Sequence, residues 1–164
     1  MATTLDADLA RWVFASIAVH FKTIADGLNL PLLVEGVDER ESEIMREDHV
    51  ELRISGPFVK EISHGYWRTQ TDINILLMNR MAMSTEDAYG IARWGGKITQ
   101  AMAERIPIYK YGSDVGDDES LIGCLTQRIG KSESVRLVHF GQIDRTDRIR
   151  QSVVDGRYEM YLKM

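Results

Sequence analysis

Apolar residues recur at spacings of three and four near the start of the chain. Leu9, Val13, Ile17, Phe21 and Ile24 fall on one face of a helix. This spacing predicts an amphipathic helix over 5–26. Thr4 is placed to cap it, Asp6 and Asp8 suit the positive end of its dipole, Gly27 is a natural stop, and Pro31 blocks continuation. The apolar run Leu28 to Val34 reads as a first strand. From Val50 the period becomes two: Val50, Leu52 and Ile54 alternate with Glu51, Arg53 and Ser55, the signature of a half-buried strand. Gly56-Pro57 interrupts it, Phe58 to Ser63 resumes it after a bulge or bend, and His64-Gly65 supplies a turn. Between Tyr66 and Leu77 the alternation is clean. Trp67, Thr69, Thr71, Ile73, Ile75 and Leu77 share one face, and Arg68, Gln70, Asp72 and Asn74 the other. At about 3.3 Å per residue this strand is roughly 40 Å long, more than a small sheet needs. The outer half of the hairpin 50–77 is therefore expected to project beyond the core.

A second helix is predicted from Ser84-Thr85-Glu86-Asp87, close to a capping box, to about Arg105. Ala88, Ile91, Ala92, Ile98 and Met102 form its inward face, with Trp94 at the margin. Gly95-Gly96 interrupts that helix at a cost of about 1 kcal/mol per glycine relative to alanine, and close approach of its backbone to the sheet is the expected reason, with a kink as the alternative. Strands follow at Ile106–Tyr111, Leu121–Gln127 and Val135–Ile143. Arg148–Val154 and Arg157–Leu162 flank Asp155-Gly156, a dipeptide that favours a type I′ hairpin. The order of helix, three strands, helix and then strands to the end predicts one α+β domain over 1–164. It consists of a mainly antiparallel sheet with two principal helices packed on one face and a long projecting β-hairpin.

Composition narrows the class. The chain has 164 residues, of which 44% are hydrophobic and 27% charged, so it has enough apolar material for a core without metals or disulfides. Cys124 is the sole cysteine, so no internal disulfide is available. The acids at the N-terminus stand where a signal peptide needs Lys or Arg, and no apolar run approaches a membrane span. A soluble protein made in a reducing cytoplasm is expected. The net charge of −5 argues against a dedicated DNA-binding module.

Charge is unevenly distributed. Residues 35–48 carry seven acids against two arginines and read as an exposed acidic loop, with room for one helical turn. A second acidic loop holds Asp114, Asp117, Asp118 and Glu119. It lacks the spacing of a calcium loop and reads as solvated, as an electrostatic contact or as a weak cation site. Residues 128–157 have a net of +3 and include Arg145, Arg148 and Arg150. Opposite patches on one small domain suit head-to-tail association, which needs two different complementary surfaces. A merely solvated surface accounts for the same counts.

Catalytic signatures are missing. The histidines His20, His49, His64 and His139 share no metal-like spacing. His20 reads as a satisfied core residue beside the apolar face of the first helix, and Cys124 as a buried, inert mid-strand thiol. The stretch Gly90 to Ile98 imitates a phosphate-binding loop. It has Ile91 where the first glycine belongs and Ile98 where Ser or Thr belongs, and it lies within the predicted helix. No cofactor, metal or catalytic residue is expected.

The pattern resembles the tail terminator, or tail completion, proteins of long-tailed bacteriophages. The likeness covers most of the chain. An N-terminal amphipathic helix leads to Val50-Glu51-Leu52-Arg53-Ile54 and through a polar hairpin to Trp67-Arg68-Thr69-Gln70-Thr71-Asp72-Ile73-Asn74-Ile75. A helix entered at Ser84-Thr85-Glu86-Asp87 follows, and the chain closes on Arg157-Tyr158-Glu159-Met160-Tyr161-Leu162. The acidic insert 35–48 and the length of the C-terminal strand region depart from the smaller members. The resemblance implies a non-enzymatic virion protein of the neck or tail, made in the host cytoplasm. Its subunits would form a six-membered ring on the tail tube, stop tube growth and meet the head-side connector, with DNA passing only through the lumen. Its partners would be further copies of itself, the tail-tube protein and the connector or stopper protein. Arg145, Arg148, Arg150, Asp114, Asp117, Asp118, Glu119, Tyr66 and Arg68 are the candidate interface residues. Alternatives are another neck component, such as a connector-stopper or tail-tube subunit, and a small α+β enzyme or ligand-binding domain with His64, Tyr66 and Arg68 as its polar groups.

Overall fold

The computed structural model describes residues 5–37, 44, 47–80, 85–111, 120–128, 135–144 and 149–163, with backbone only at 85–88 and 139–144. It is a mixed α+β fold. In chain order the elements are α1 (Leu9–Gly27), β1 (Leu32–Val34), β2 (His49–Ser63), β3 (Tyr66–Arg80), α2 (Thr85–Ala103), β4 (Ile106–Lys110), β5 (Ser120–Gln127), β6 (Val135–Asp144) and β7 (Ile149–Lys163). The strands form one sheet in the order β1-β2-β3-β7-β5-β4, with β6 also paired to β7. Only the β1–β2 pair is parallel among the described strands.

The period-two reading of β2 and β3 agrees with the register. Val50 faces Leu77, Leu52 faces Ile75 and Ile54 faces Ile73. The ladder shifts between Ser55 and Phe58, where Gly56-Pro57 interrupts it. Gly56 has φ +110, and a Cβ there would lie 2.8 Å from the Gln70 carbonyl oxygen, so only glycine fits. His64-Gly65 forms the turn, with Gly65 at φ +75.

The main core joins α1 (Leu9, Trp12, Val13, Ile17, Phe21) and α2 (Ile91, Ile98, Met102) to alternate residues of β2, β3 and β7, among them Leu52, Ile75, Val154 and Tyr158. Helix α1 is also pinned to β4 and the residue after it. The Trp12 indole N–H donates to the Tyr111 carbonyl at 3.0 Å, and the Tyr109 amide donates to the Ser16 hydroxyl at 2.9 Å.

Several expectations are corrected. Helix α1 begins at Leu9, with Asp8 at the cap position and making no side-chain cap bond; Thr4 lies outside the described residues. The first strand is confined to Leu32–Val34. Asp155-Gly156 is not a turn: β7 runs unbroken through it, with Asp155 opposite Asn74 and Gly156 opposite Ile73. The glycine serves close packing, because a Cβ on it would sit 2.8 Å from the Met102 methyl and 3.1 Å from the Tyr158 ring. Ala92 is exposed rather than inward. A Cβ on Gly96 would meet nothing within 4 Å, so close approach does not explain that glycine, although Gly95 is buried.

The acidic stretch is not wholly an exposed loop. Ile44 is 7% exposed, and Asp48 accepts hydrogen bonds from the Asn79 side chain (3.0 Å) and the Arg80 amide (2.6 Å). Leu33 and Leu76 are also buried, outside the main core cluster. The register sets Leu33, Glu51, Leu76, Val153 and Val138 side by side across five strands. These positions alternate with the core positions, so they form a row on the opposite face of the sheet.

Candidate functional site

Two regions carry chemistry. The first is a groove of about 550 Å³ between α1 and α2, with Ile24, Leu28 and Ala101 as its apolar lining and His20, Lys97 and Glu104 among its polar groups. It exists because His20 and Ile24, one turn apart on α1, and Lys97, Ala101 and Glu104, at spacings of four and three on α2, line up along their helices. His20 is only half-buried, and its Nε2 is buried without a hydrogen-bond partner, so it is not the satisfied core residue expected. Burial pushes its pKa below the ordinary imidazole value, while the Ala101 backbone and the Glu104 carboxylate pull the other way. Its ring meets Phe21 edge-on at 5.1 Å.

The second region is the far end of the ribbon formed by β2, β3 and β7. Tyr66 opposes Lys163, while Lys60 and Tyr161 flank Arg68 on its two sides. Phe58, across from Gln70, belongs to the same face. Phe58, Tyr66 and Tyr161 are exposed at 59%, 44% and 61%. The Lys163 ammonium lies 5.6 Å from the Tyr66 ring centroid, a cation–π contact. Neither Lys60, Arg68 nor Lys163 forms an ion pair with a described residue. Neighbouring arginines contrast with them. Arg53 binds Glu51, Arg128 binds Glu159, Arg136 binds Asp155 and Arg157 approaches Asp72. Much of the basic excess of 128–157 is thus neutralised within the chain.

Of the candidate interface residues, Tyr66 and Arg68 come together at this ribbon end. Arg150, half-buried opposite Asn79, lies at the other end of β7. Arg145, Arg148, Asp114, Asp117, Asp118 and Glu119 lie outside the described residues. The pairing of Tyr66 and Arg68 with Lys163 and Tyr161 is not legible in the sequence, because it depends on β7 running alongside β3, whereas Phe58 and Lys60 join them through the expected hairpin. His64, Tyr66 and Arg68 do not line the groove between the helices. The stretch Gly90 to Ile98 is helical, as expected. Cys124 is a half-buried free thiol opposite Pro107.

Among the described residues no group of three or more metal-ligating side chains converges, and no helix is long and apolar enough to cross a membrane. No known family model matches the chain, and no curated protein is detectably similar to it.

Proposed function

We propose that this chain is a structural protein of a phage neck or tail, most specifically a tail terminator. Its copies form a ring that caps the tail tube, ends tube growth and joins the tail to the head-side connector. The observation that carries this reading is the ribbon of β2, β3 and β7, each fifteen residues long. At about 3.3 Å per residue it is roughly 50 Å long, against about 28 Å for a nineteen-residue helix. The helices and, further out, β5 pack on one face of the ribbon, where Met160 and Leu162 are buried and a Cβ on Gly123 would lie 2.7 Å from the Met160 sulfur. Phe58, Tyr66 and Tyr161 stand exposed on the other face of the outer end. Large apolar side chains there gain burial from a neighbouring subunit. The absence of a recognisable catalytic signature in the sequence agrees with a steric role.

Light scattering over a concentration series, with negative-stain images, tests the reading. A closed ring of six 18.7 kDa chains, about 112 kDa, is the expected species. Open-ended polymers favour a tail-tube subunit instead. A monomer that purified tail tubes do not recruit overturns the proposal. Replacing Arg145, Arg148 and Arg150 together by Glu is expected to leave the monomer folded and block assembly.

The groove between α1 and α2 favours a second reading, a small-ligand-binding domain. Stabilisation of the fold by one compound of a metabolite panel supports it, since a ligand that binds only the native state raises the melting temperature.

A further inference from the structure

We infer that the outer end of the ribbon is a docking face for the acidic pole of a second copy of this chain. The inference rests on the ring reading above and names the contact that would build the ring. Three cations without an ion-pair partner among the described residues, Lys60, Arg68 and Lys163, stand among Phe58, Tyr66 and Tyr161 on one face of three adjacent strands. Exposed aromatics and an arginine in one patch are the composition of an interface centre rather than of a solvated surface. The cations make the face selective for a negatively charged partner.

The chain supplies such a partner, in a place it cannot use for itself. Residues 35–48 have a net charge of −5, equal to that of the whole chain. The described members of this pole lie at the opposite end of β2: Glu47 and Asp48 directly precede His49, and the Glu35 amide bonds the Leu52 carbonyl at 3.1 Å. Eleven residues of strand separate His49 from Lys60, roughly 36 Å at about 3.3 Å each. That exceeds several Debye lengths at physiological salt, so the poles do not neutralise one another within a chain. Head-to-tail contact between copies brings them together, and such contacts close into rings when the rotation per subunit allows. A single-stranded nucleic acid is the competing occupant, because bases stack on exposed aromatics. The net charge of −5 and the acidic pole on the same chain favour the protein partner.

Sedimentation velocity on the full chain, at low and high salt, tests the inference. Wild-type protein is expected to associate, and to do so more weakly at high salt. The variant Lys60→Glu/Arg68→Glu/Lys163→Glu is expected to lose at least tenfold in association, with an unchanged circular dichroism spectrum. The variant Glu35→Lys/Glu47→Lys is expected to be impaired in the same way. Mixing the two variants is expected to restore one docking contact, since the first keeps the acidic pole and the second keeps the basic ribbon end, while its residues 35–48 fall only from −5 to −1. That rescue also requires both to be folded. Association of the basic-to-acidic variant at the wild-type level, or no rescue on mixing, overturns the docking face while leaving a ring reading intact. Open-ended polymers of the wild-type chain, lost in both variants, support the docking face and remove the terminator reading. A wild-type chain that stays monomeric at every concentration overturns the inference. So does tight binding of a single-stranded oligonucleotide that Tyr161→Ala abolishes.

Discussion

The Tyr158 hydroxyl donates a 2.6 Å hydrogen bond to the Met102 carbonyl, which also accepts the Gln127 side-chain amide at 2.9 Å. Met102 is in the last turn of α2, where backbone carbonyls have no partner within the helix. Side chains from β5 and β7 therefore complete the end of α2 and fix it to the sheet. Tyr158 is fully buried, and burial drives its pKa far above the ordinary phenol value, so it stays a neutral donor throughout the working pH range.

Tyr158→Phe keeps the ring and leaves the carbonyl its second partner. The expected loss is about 0.5–1.5 kcal/mol by urea unfolding. Adding Gln127→Ala removes the other donor as well. The double variant is then expected to lose more than the sum of the singles, because only in it is the carbonyl left without either partner.

Two glycines should respond in opposite directions to alanine. Gly156→Ala places a methyl 3.1 Å from the Tyr158 ring and 2.8 Å from the Met102 methyl. The methionine end can yield, but the hydrogen-bonded tyrosine cannot, so a loss of about 1–3 kcal/mol is expected. Gly96→Ala adds a methyl to an exposed helical position with nothing within 4 Å. A gain of about 0.4–1 kcal/mol is expected from the stiffer unfolded chain. Thermal or denaturant unfolding of the two variants checks both signs.

The sequence was most legible where one period held throughout. The alternation of Trp67 through Leu77 placed Thr69, Thr71, Ile73, Ile75 and Leu77 on the buried face, as observed. It failed where a local signal competed with tertiary context. Asp155-Gly156 favours a turn locally, but β3 on one side and β6 on the other hold both residues in the ladder. Glu51 and Leu76 belong to a second buried row whose covering no periodicity announces. The ribbon-end face was half legible: Tyr66 and Arg68 stood out, but Tyr161 and Lys163 are about a hundred residues away and join them only through strand pairing.

Ser16 shows how a helix compensates for an irregular strand. The β4–β5 register shifts between Ile108 and Tyr109, and the Tyr109 amide donates instead to the Ser16 hydroxyl at 2.9 Å. Ser16→Ala leaves that amide without its acceptor in a partly buried site. A loss of about 1–3 kcal/mol is expected, together with faster hydrogen exchange at Tyr109. Ser16→Thr retains the acceptor and is expected to restore the exchange protection.

His20 makes stability depend on pH in a definite direction. Its pKa is lowered in the folded chain, chiefly by burial, against a value near 6.5 when the chain is unfolded. Between those two values the unfolded chain binds more protons, so the imidazole's contribution is present at neutral pH and above. It is lost as pH falls through about 6.5 toward the folded-state value, below which the difference is constant. His20→Leu removes the titration while keeping an apolar side chain beside Phe21. Melting temperatures measured from about pH 8 to pH 5 should fall less in His20→Leu than in the wild type. Parallel curves would show that groups elsewhere carry the acid sensitivity.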